Sequence, residues 1–253
     1  MIQLHDVCKQ FKQNKKDHKK NQQTFVKVVQ NVNFQCQAGK AFALVGANGA
    51  GKTTLLRMIS TMMMPSSGDI QVCGLDTRTD ALAIRHRIGF LTTNTALYEH
   101  MTAYETVRFY ADLFDIDAKL LKQRQDELFT LLGIHDFAHK RIKELSTGMR
   151  QKVNIARTLI HEPEILLLDE PTTGLDIIAS QHIVKLIQCY KEKNTTIVFS
   201  THHFGEIKLL CDDIAVMVQG KLEYKNSLEH FEAQVPGHSL EEKFISLQGK
   251  SSE

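Results

Sequence analysis

The sequence predicts an α/β fold on a mainly parallel sheet, with an antiparallel β portion on its N-terminal side and a helical portion inserted midway. Three observations predict it. Short apolar runs at 41–45, 165–169, 196–200 and 213–218 alternate with helix-like segments, the pattern of a doubly wound sheet. A glycine-rich turn, GANGAGKTT at 46–54, joins the first of those runs to a helix. Residues 95–162 carry three successive helical stretches with no strand between them. The division expected within one domain is 1–94 and 163–225 for the α/β core with its β portion, 95–162 for the helical insert, and 226–253 for a C-terminal extension.

In chain order, IQLHDV at 2–7 and VNFQC at 32–36 alternate as strands do, with Val32, Phe34 and Cys36 on one face. Between them, KQNKKDHKKNQQT at 12–24 is polar and lysine-rich and reads as an exposed hairpin tip. A sharper reading gives those lysines anionic lipid headgroups beside a membrane partner. AFALV at 41–45 reads as a buried strand, and TTLLRMISTMMM at 53–64 as a helix stopped by Pro65. Residues 70–73 and 88–91 (IGFL) read as short strands. TAYE at 102–105 forms a capping box of Thr102 and Glu105, opening a helix with Tyr104, Val107, Ala111 and Phe114 on one stripe. Asp117 caps a second helix running to Gly133, with Leu121, Leu128, Leu131 and Leu132 inward. A third begins near 147 and ends before Pro163, and a fourth, near 177–191, separates two of the core strands.

Bulk properties narrow the partners. A net charge of +2 is too small to point to nucleic acid. Five scattered cysteines, with no C-x-x-C pair, favour reduced thiols in a cytosolic setting. The opening MIQLHDV reads as a strand and not as a signal peptide. No run of about 18 apolar residues is present, so any membrane role must be borrowed from a partner.

The chemistry concentrates in three segments. GANGAGKTT fits G-x-x-x-x-G-K-[ST] through Gly46, Gly51, Lys52 and Thr53. A strand, a glycine loop and a helix start aim backbone N–H groups and a helix dipole at one anion. The loop Gly46, Ala47, Asn48, Gly49, Ala50, Gly51 is therefore read as a phosphate cradle, continued by Lys52, Thr53 and Thr54. Lys52 reaches the β- and γ-phosphates, and the Thr53 hydroxyl ligates Mg²⁺. The fold expected is thus that of a P-loop NTPase, and the ligand a nucleoside triphosphate. ILLLDEP at 165–171 sets two carboxylates at the end of a buried strand, which is costly unless a cation or a reaction needs them. Asp169 would hold Mg²⁺, usually through water, and Glu170 would orient the attacking water. LSTGMRQ at 145–151 puts Ser146, Thr147 and Gly148 at a helix start, either an ordinary cap or a second anion site.

Taken together these segments resemble the ATP-binding-cassette (ABC) family. GANGAGKTT resembles its Walker A motif, ILLLDE its Walker B and LSTGMRQ its signature sequence, usually LSGGQ. TGLD at 173–176 resembles its D-loop, and STH at 200–202 its switch-histidine motif. The likeness runs nearly the length of the chain in the family's order. It implies ATP and Mg²⁺ as ligands, Phe11 as the aromatic that stacks on adenine, His202 beside Glu170 in catalysis, and Ser146 and Gly148 as phosphate contacts. It also implies that two chains, alike or different, pair head to tail, with each ATP between one Walker A and the other's signature helix. The expected seat is the cytoplasmic face of the inner or plasma membrane, as a peripheral subunit. STGM, GFLTTNTALYEHMTAYE at 89–105 and HSLEEKFISLQG at 238–249 resemble the ATPase subunits of ABC-2-type exporters, most of all the sodium-extrusion type. The implied partner is an ABC-2-type transmembrane permease, with a sodium, drug or lipid-type substrate.

Two departures stand out. Thr93 occupies the place of the family's usual metal-reaching glutamine, and Thr147 and Met149 replace a glycine and a glutamine of the signature. The competing reading is a soluble ABC ATPase acting on ribosomes or nucleic acid. It expects two cassettes or a long coiled-coil insertion and a basic face, none of which this chain has. A nucleotide-gated module without turnover is disfavoured by the presence of both Glu170 and His202.

Overall fold

The structure is a computed structural model of the 253-residue chain, and the residues it describes are 1–12, 25–92, 96–233 and 239–250. β1 (Ile2–Lys12) and β2 (Phe25–Cys36) pair antiparallel, and β3 (Ala41–Gly46) runs into α1 (Lys52–Ile59). β4 (Ser67–Val72), β5 (Leu75–Asp76) and α2 (Ala81–Arg87) lead to β6 (Ile88–Leu91). Then come α3 (Ala103–Asp112), α4 (Ala118–Leu132) and α5 (Thr147–Leu159). The chain continues through β7 (Ile165–Asp169), α6 (Ile177–Glu192), β8 (Thr196–Thr201), α7 (Phe204–Leu210), β9 (Asp213–Val218) and β10 (Lys221–Ser227). It closes with α8 (Leu228–Ala233) and α9 (Leu240–Lys250).

Two sheets result, one antiparallel in the order β2-β1-β4-β5 and one of six strands in the order β10-β9-β3-β8-β7-β6. In the larger sheet only β10 runs antiparallel to its neighbour. Its central strands are buried along their whole length, because both faces are covered. Ala43, Val45, Leu166, Leu168, Ile197 and Phe199 face the core shared with α3–α6. Phe42, Leu44, Leu167 and Val198 face α1 and the antiparallel sheet, where Phe34 stacks on Phe42 at 4.8 Å. α1 is therefore held between the two sheets, and the loop before it cannot shift without disturbing both.

Local signals placed most helix ends. Thr102 and Glu105 close the capping box of α3, Asp117 caps α4, and Gly133 ends α4 in the left-handed conformation at φ 60°. Four expectations are corrected. α1 stops at Ile59, short of Pro65, because Thr61 turns left-handed at φ 62° and sends Met62 and Met64 into solvent. β4 occupies 67–72, since Cys73 at φ 52° begins the turn into β5. In α3, Val107 and Ala111 are buried as expected, but Tyr104 is exposed beside His139 and Phe114 lies past the helix end. Leu131 of α4 also faces outward. Of the lysine-rich stretch at 12–24, Lys12 is the last residue of β1 and the rest lies outside the described residues. Thr93, Asn94 and Thr95 do too.

His161, between α5 and β7, ties the helical portion to the sheet. Its ring stacks on Phe114 with centroids 3.8 Å apart, and Nε2 lies 3.2 Å from the Ile88 carbonyl. Nδ1 is buried and has no partner among the described residues. Burial pushes the imidazole down from 6.5 to about 4, because a second proton would find no acceptor. The unfolded chain therefore takes up a proton at this site below about pH 6.5 while the folded chain resists it to about pH 4. Stability from this residue is complete above that window and is lost as pH falls through it. Urea midpoints at pH 7 and pH 5 should drop less for His161→Gln than for wild type. Equal drops would show that His161 plays no part in acid sensitivity.

Candidate nucleotide site

Three strands of the larger sheet end side by side at the site: β3 at Gly46, β7 at Asp169 and β8 at Thr201. Carboxyl ends of such strands are where α/β sheets take ligands. The loop after β3 is tight. A Cβ on Gly46 would meet the Met217 carbonyl at 2.6 Å, and one on Gly51, at φ 104°, would meet the Val28 carbonyl at 2.6 Å. The loop is closed by the Ala50 N–H to the Ala47 carbonyl at 3.1 Å and braced by the Gly220 N–H to the Ala50 carbonyl at 3.1 Å. No side chain caps the start of α1 and no acid sits in its first turn, so its N-terminal charge is left for an anion.

Lys52 is only 5% exposed, and its ammonium donates to the Gly46 carbonyl at 2.6 Å and to that of Ala47 at 3.2 Å. Burial pulls its pKa below the ordinary lysine value, against the attraction of Glu170 and Asp169. Its Nζ lies 3.9 Å from Glu170 Oε1. Thr53 Oγ1 donates to Asp169 Oδ1 at 3.0 Å, and Ser200 Oγ donates to the same oxygen at 2.7 Å. Thr54, next along α1, is half-buried.

Glu170 follows β7 with a left-handed backbone, φ 49°, held by its N–H to the Ser200 carbonyl at 3.1 Å and to Ser200 Oγ at 3.0 Å. Its Oε2 accepts from Thr173 Oγ1 at 3.0 Å, while Oε1 lies 3.7 Å from His202 Nδ1. Lys52, Thr53, Asp169, Glu170 and His202 are thus joined by a chain of contacts of 4 Å or less. His203 is exposed and lies ring to ring with His202 at 4.2 Å, outside this chain.

Ser146 and Gly148 stand apart. Ser146 caps α5 by accepting the Met149 N–H at 3.3 Å, and a Cβ on Gly148 would meet nothing within 4 Å among the described residues beyond its own chain neighbours and helix backbone. Among the described residues no hydrogen bond or ion pair links either one to Gly46–Thr54. α5 instead meets the segment after Glu170, through Gln151 Nε2 donating to the Pro171 carbonyl at 3.1 Å. Phe11 is 39% exposed beneath the Lys9 ammonium and pairs with Val26, two residues from the Val28 that abuts Gly51.

Sequence reasoning missed two groups. Ser200 serves both Asp169 and Glu170, and its signal was a polar residue ending the apolar run TIVFS beside ILLLD. Glu206 bridges Thr172 and Thr201, a pairing across 34 residues with no local sign. A divalent ion fits the donors present. The Thr53 and Asp169 oxygens, 3.0 Å apart, span about one edge of an octahedron with roughly 2.1 Å metal–oxygen distances. No cluster of three ligating acids, histidines or cysteines occurs among the described residues, so most of the shell must come from phosphate and water, as is usual for Mg²⁺.

A family described as ABC transporter matches residues 29–173. The ABC transporter ATP-binding protein NatA of Bacillus subtilis (strain 168) is 40% identical over 230 residues, covering 90% of each chain. The linearmycin resistance ATP-binding protein LnrL of the same organism is 32% identical over 195 residues, covering 77% of this chain and 63% of that protein. Among solved structures, the dimeric post-hydrolysis state of the ATP-binding cassette MJ0796, bound to ADP and Pi, superposes with a TM-score of 0.81 at 26% identity, covering 90% of this chain and 99% of that one.

Proposed function

Because this chain belongs to the ABC transporter family, as one of its ATP-binding subunits, we propose that the contacts around Glu170 are its catalytic centre and that hydrolysis there drives export through a separate membrane protein. The observation that carries this is the approach of Lys52, Thr53 and His202 to the two carboxylates at the end of β7. The Gly46–Gly51 amides and the start of α1 receive the phosphates, and Lys52 exchanges a loop carbonyl for phosphate oxygens. Thr53 and Asp169 hold Mg²⁺, which neutralises phosphate charge when bound. Glu170 aligns a water on the γ-phosphorus and draws on its proton as the bond to the β–γ bridging oxygen breaks. His202, nearly half exposed beside Glu170, donates to the γ-phosphate. Phe11 stacks on the adenine, and Ser146 and Gly148 face the γ-phosphate held by a second copy or a related chain.

The membrane partner in this reading is an ABC-2-type permease, and the substrate a sodium, drug or lipid-type solute. No helix of the described residues is long and apolar enough to cross a membrane, so attachment in this reading is peripheral, at the cytoplasmic face. The docking surface we assign is the segment before α3, where Tyr98 is 51% exposed and packs edge-on against Phe109 at 5.7 Å. Half-buried Leu97 and Met101 flank it. ATPase assays test both parts. The purified chain should hydrolyse ATP only with Mg²⁺ present and stop on chelation. Tyr98→Glu should keep the basal rate within about twofold yet lose the stimulation given by a co-reconstituted ABC-2-type permease. Hydrolysis indifferent to chelation would remove the catalytic assignment. Full stimulation of Tyr98→Glu would move the docking surface elsewhere.

A further inference from the structure

Glu206 sits in the first turn of α7, where a glutamate commonly closes a capping box on the amide at the helix start. Here it does something else. The His203 N–H bonds to Thr201 Oγ1 at 3.0 Å, and the Glu206 carboxylate turns away to accept two threonine hydroxyls. Oε2 takes that of Thr201 at 2.8 Å, and Oε1 takes that of Thr172. Both threonines are buried, at 1% and 5% exposure, and Glu206 has no cation within ion-pair distance among the described residues. Thr201 immediately precedes His202. Thr172 follows Glu170 by two residues, next to the Thr173 that donates to Glu170. A closed ring of contacts therefore runs from Glu170 through this segment to Glu206, on to Thr201 and His202, and back to Glu170.

We propose that Glu206 is a positioning residue for hydrolysis, a strap that fixes the segment after Glu170 against the turn bearing His202. Two segments leaving different strands have no backbone ladder between them beyond the strand ends. A carboxylate with one oxygen on each segment supplies the missing tie, and bonds to an ionised acceptor are about twice as strong as neutral ones. The strap touches neither the Gly46–Gly51 loop nor Thr53, so it sets turnover and leaves nucleotide capture alone. Movement of the TGLD segment at 173–176 would reach His202 through the same atoms.

The proposal rests on Glu170 being the catalytic carboxylate, and the test keeps the two apart. Steady-state ATPase is measured on the full chain carrying Glu206→Ala, Glu206→Gln, Thr201→Val or Thr201→Ser. Glu206→Ala and Thr201→Val should each lower kcat at least tenfold with KM for ATP within twofold. Their double variant should lose no more than the worse single one, because both cut the same tie. Thr201→Ser, which keeps the bridging hydroxyl, should stay within threefold of wild type, and Glu206→Gln, with one acceptor oxygen and no charge, should fall between wild type and Glu206→Ala. Should Glu206→Ala fail to fold, Thr201→Val and its serine rescue carry the test. Wild-type kcat in the alanine or valine variant, additive losses in the double, or loss of ATP binding along with turnover would each overturn the strap. Active wild-type protein with an equally active Glu170→Gln would instead remove the catalytic reading beneath it.

Discussion

Glu170→Gln should bind ATP like the wild-type chain and turn it over at least about a hundredfold more slowly, the low end of what a positioned general base contributes. The amide is the same shape, so Thr173 still finds an acceptor and the left-handed turn is kept. What goes is the charge that draws on the proton of the attacking water. The same change removes one of the two carboxylates offsetting the burial of Lys52, but Asp169 remains within its field. With the γ-phosphate uncleaved, the contacts holding two chains together persist, so ATP should drive the variant into a long-lived dimer. Size-exclusion chromatography with light scattering reads this directly. A variant that stays monomeric in ATP, or hydrolyses it normally, would refute the role given to Glu170.

Ser146→Arg should bind ATP at full strength as a monomer and lose turnover by a similar factor. Ser146 is exposed at the start of α5, and in its own chain no described bond leads from it to the Lys52 loop. In the proposed function its place in catalysis is across an interface, where an arginine would block the approach of the other chain's nucleotide. Loss of the helix cap costs about 1 kcal/mol, so a thermal midpoint must accompany the assay. Lys52→Ala fails differently, by losing a charge-assisted contact to the phosphates worth about 1.5–3 kcal/mol. Mixed dimers of the two variants gather both defects in one site and leave the other whole. Mixing two inactive preparations should therefore restore part of the activity. No recovery, or a Ser146→Arg chain active alone, would argue that each site is built within one chain.

The parts of this site that are legible in the sequence are those set by neighbours along the chain. The Gly46–Thr53 spacing, the Thr102 and Asp117 caps, and the acids closing ILLLD each announce themselves within a few residues, because backbone geometry and helix ends are local matters. What is not legible depends on which strands lie side by side. Ser200 reaches Asp169 only because β8 is next to β7 in register, and Glu206 meets Thr172 only once α7 has folded back over the strand ends. Outward-facing Leu131 belongs to the same kind, and the early end of α1 rests on Thr61, whose left-handed turn is held by the Arg85 guanidinium of α2. A stripe of leucines or a distant proline reports neither.

Glu170 sits in a left-handed turn where asparagine and glycine are at ease and most other residues are held at a cost of about 1–3 kcal/mol. This sets survival against work. A population of variants screened only for heat resistance or yield should drift towards Glu170→Gly or Glu170→Asn, each gaining stability while losing the motor. The sturdiest protein from such a selection would be the one least able to do its job. Any campaign to harden this chain should therefore score turnover in every round.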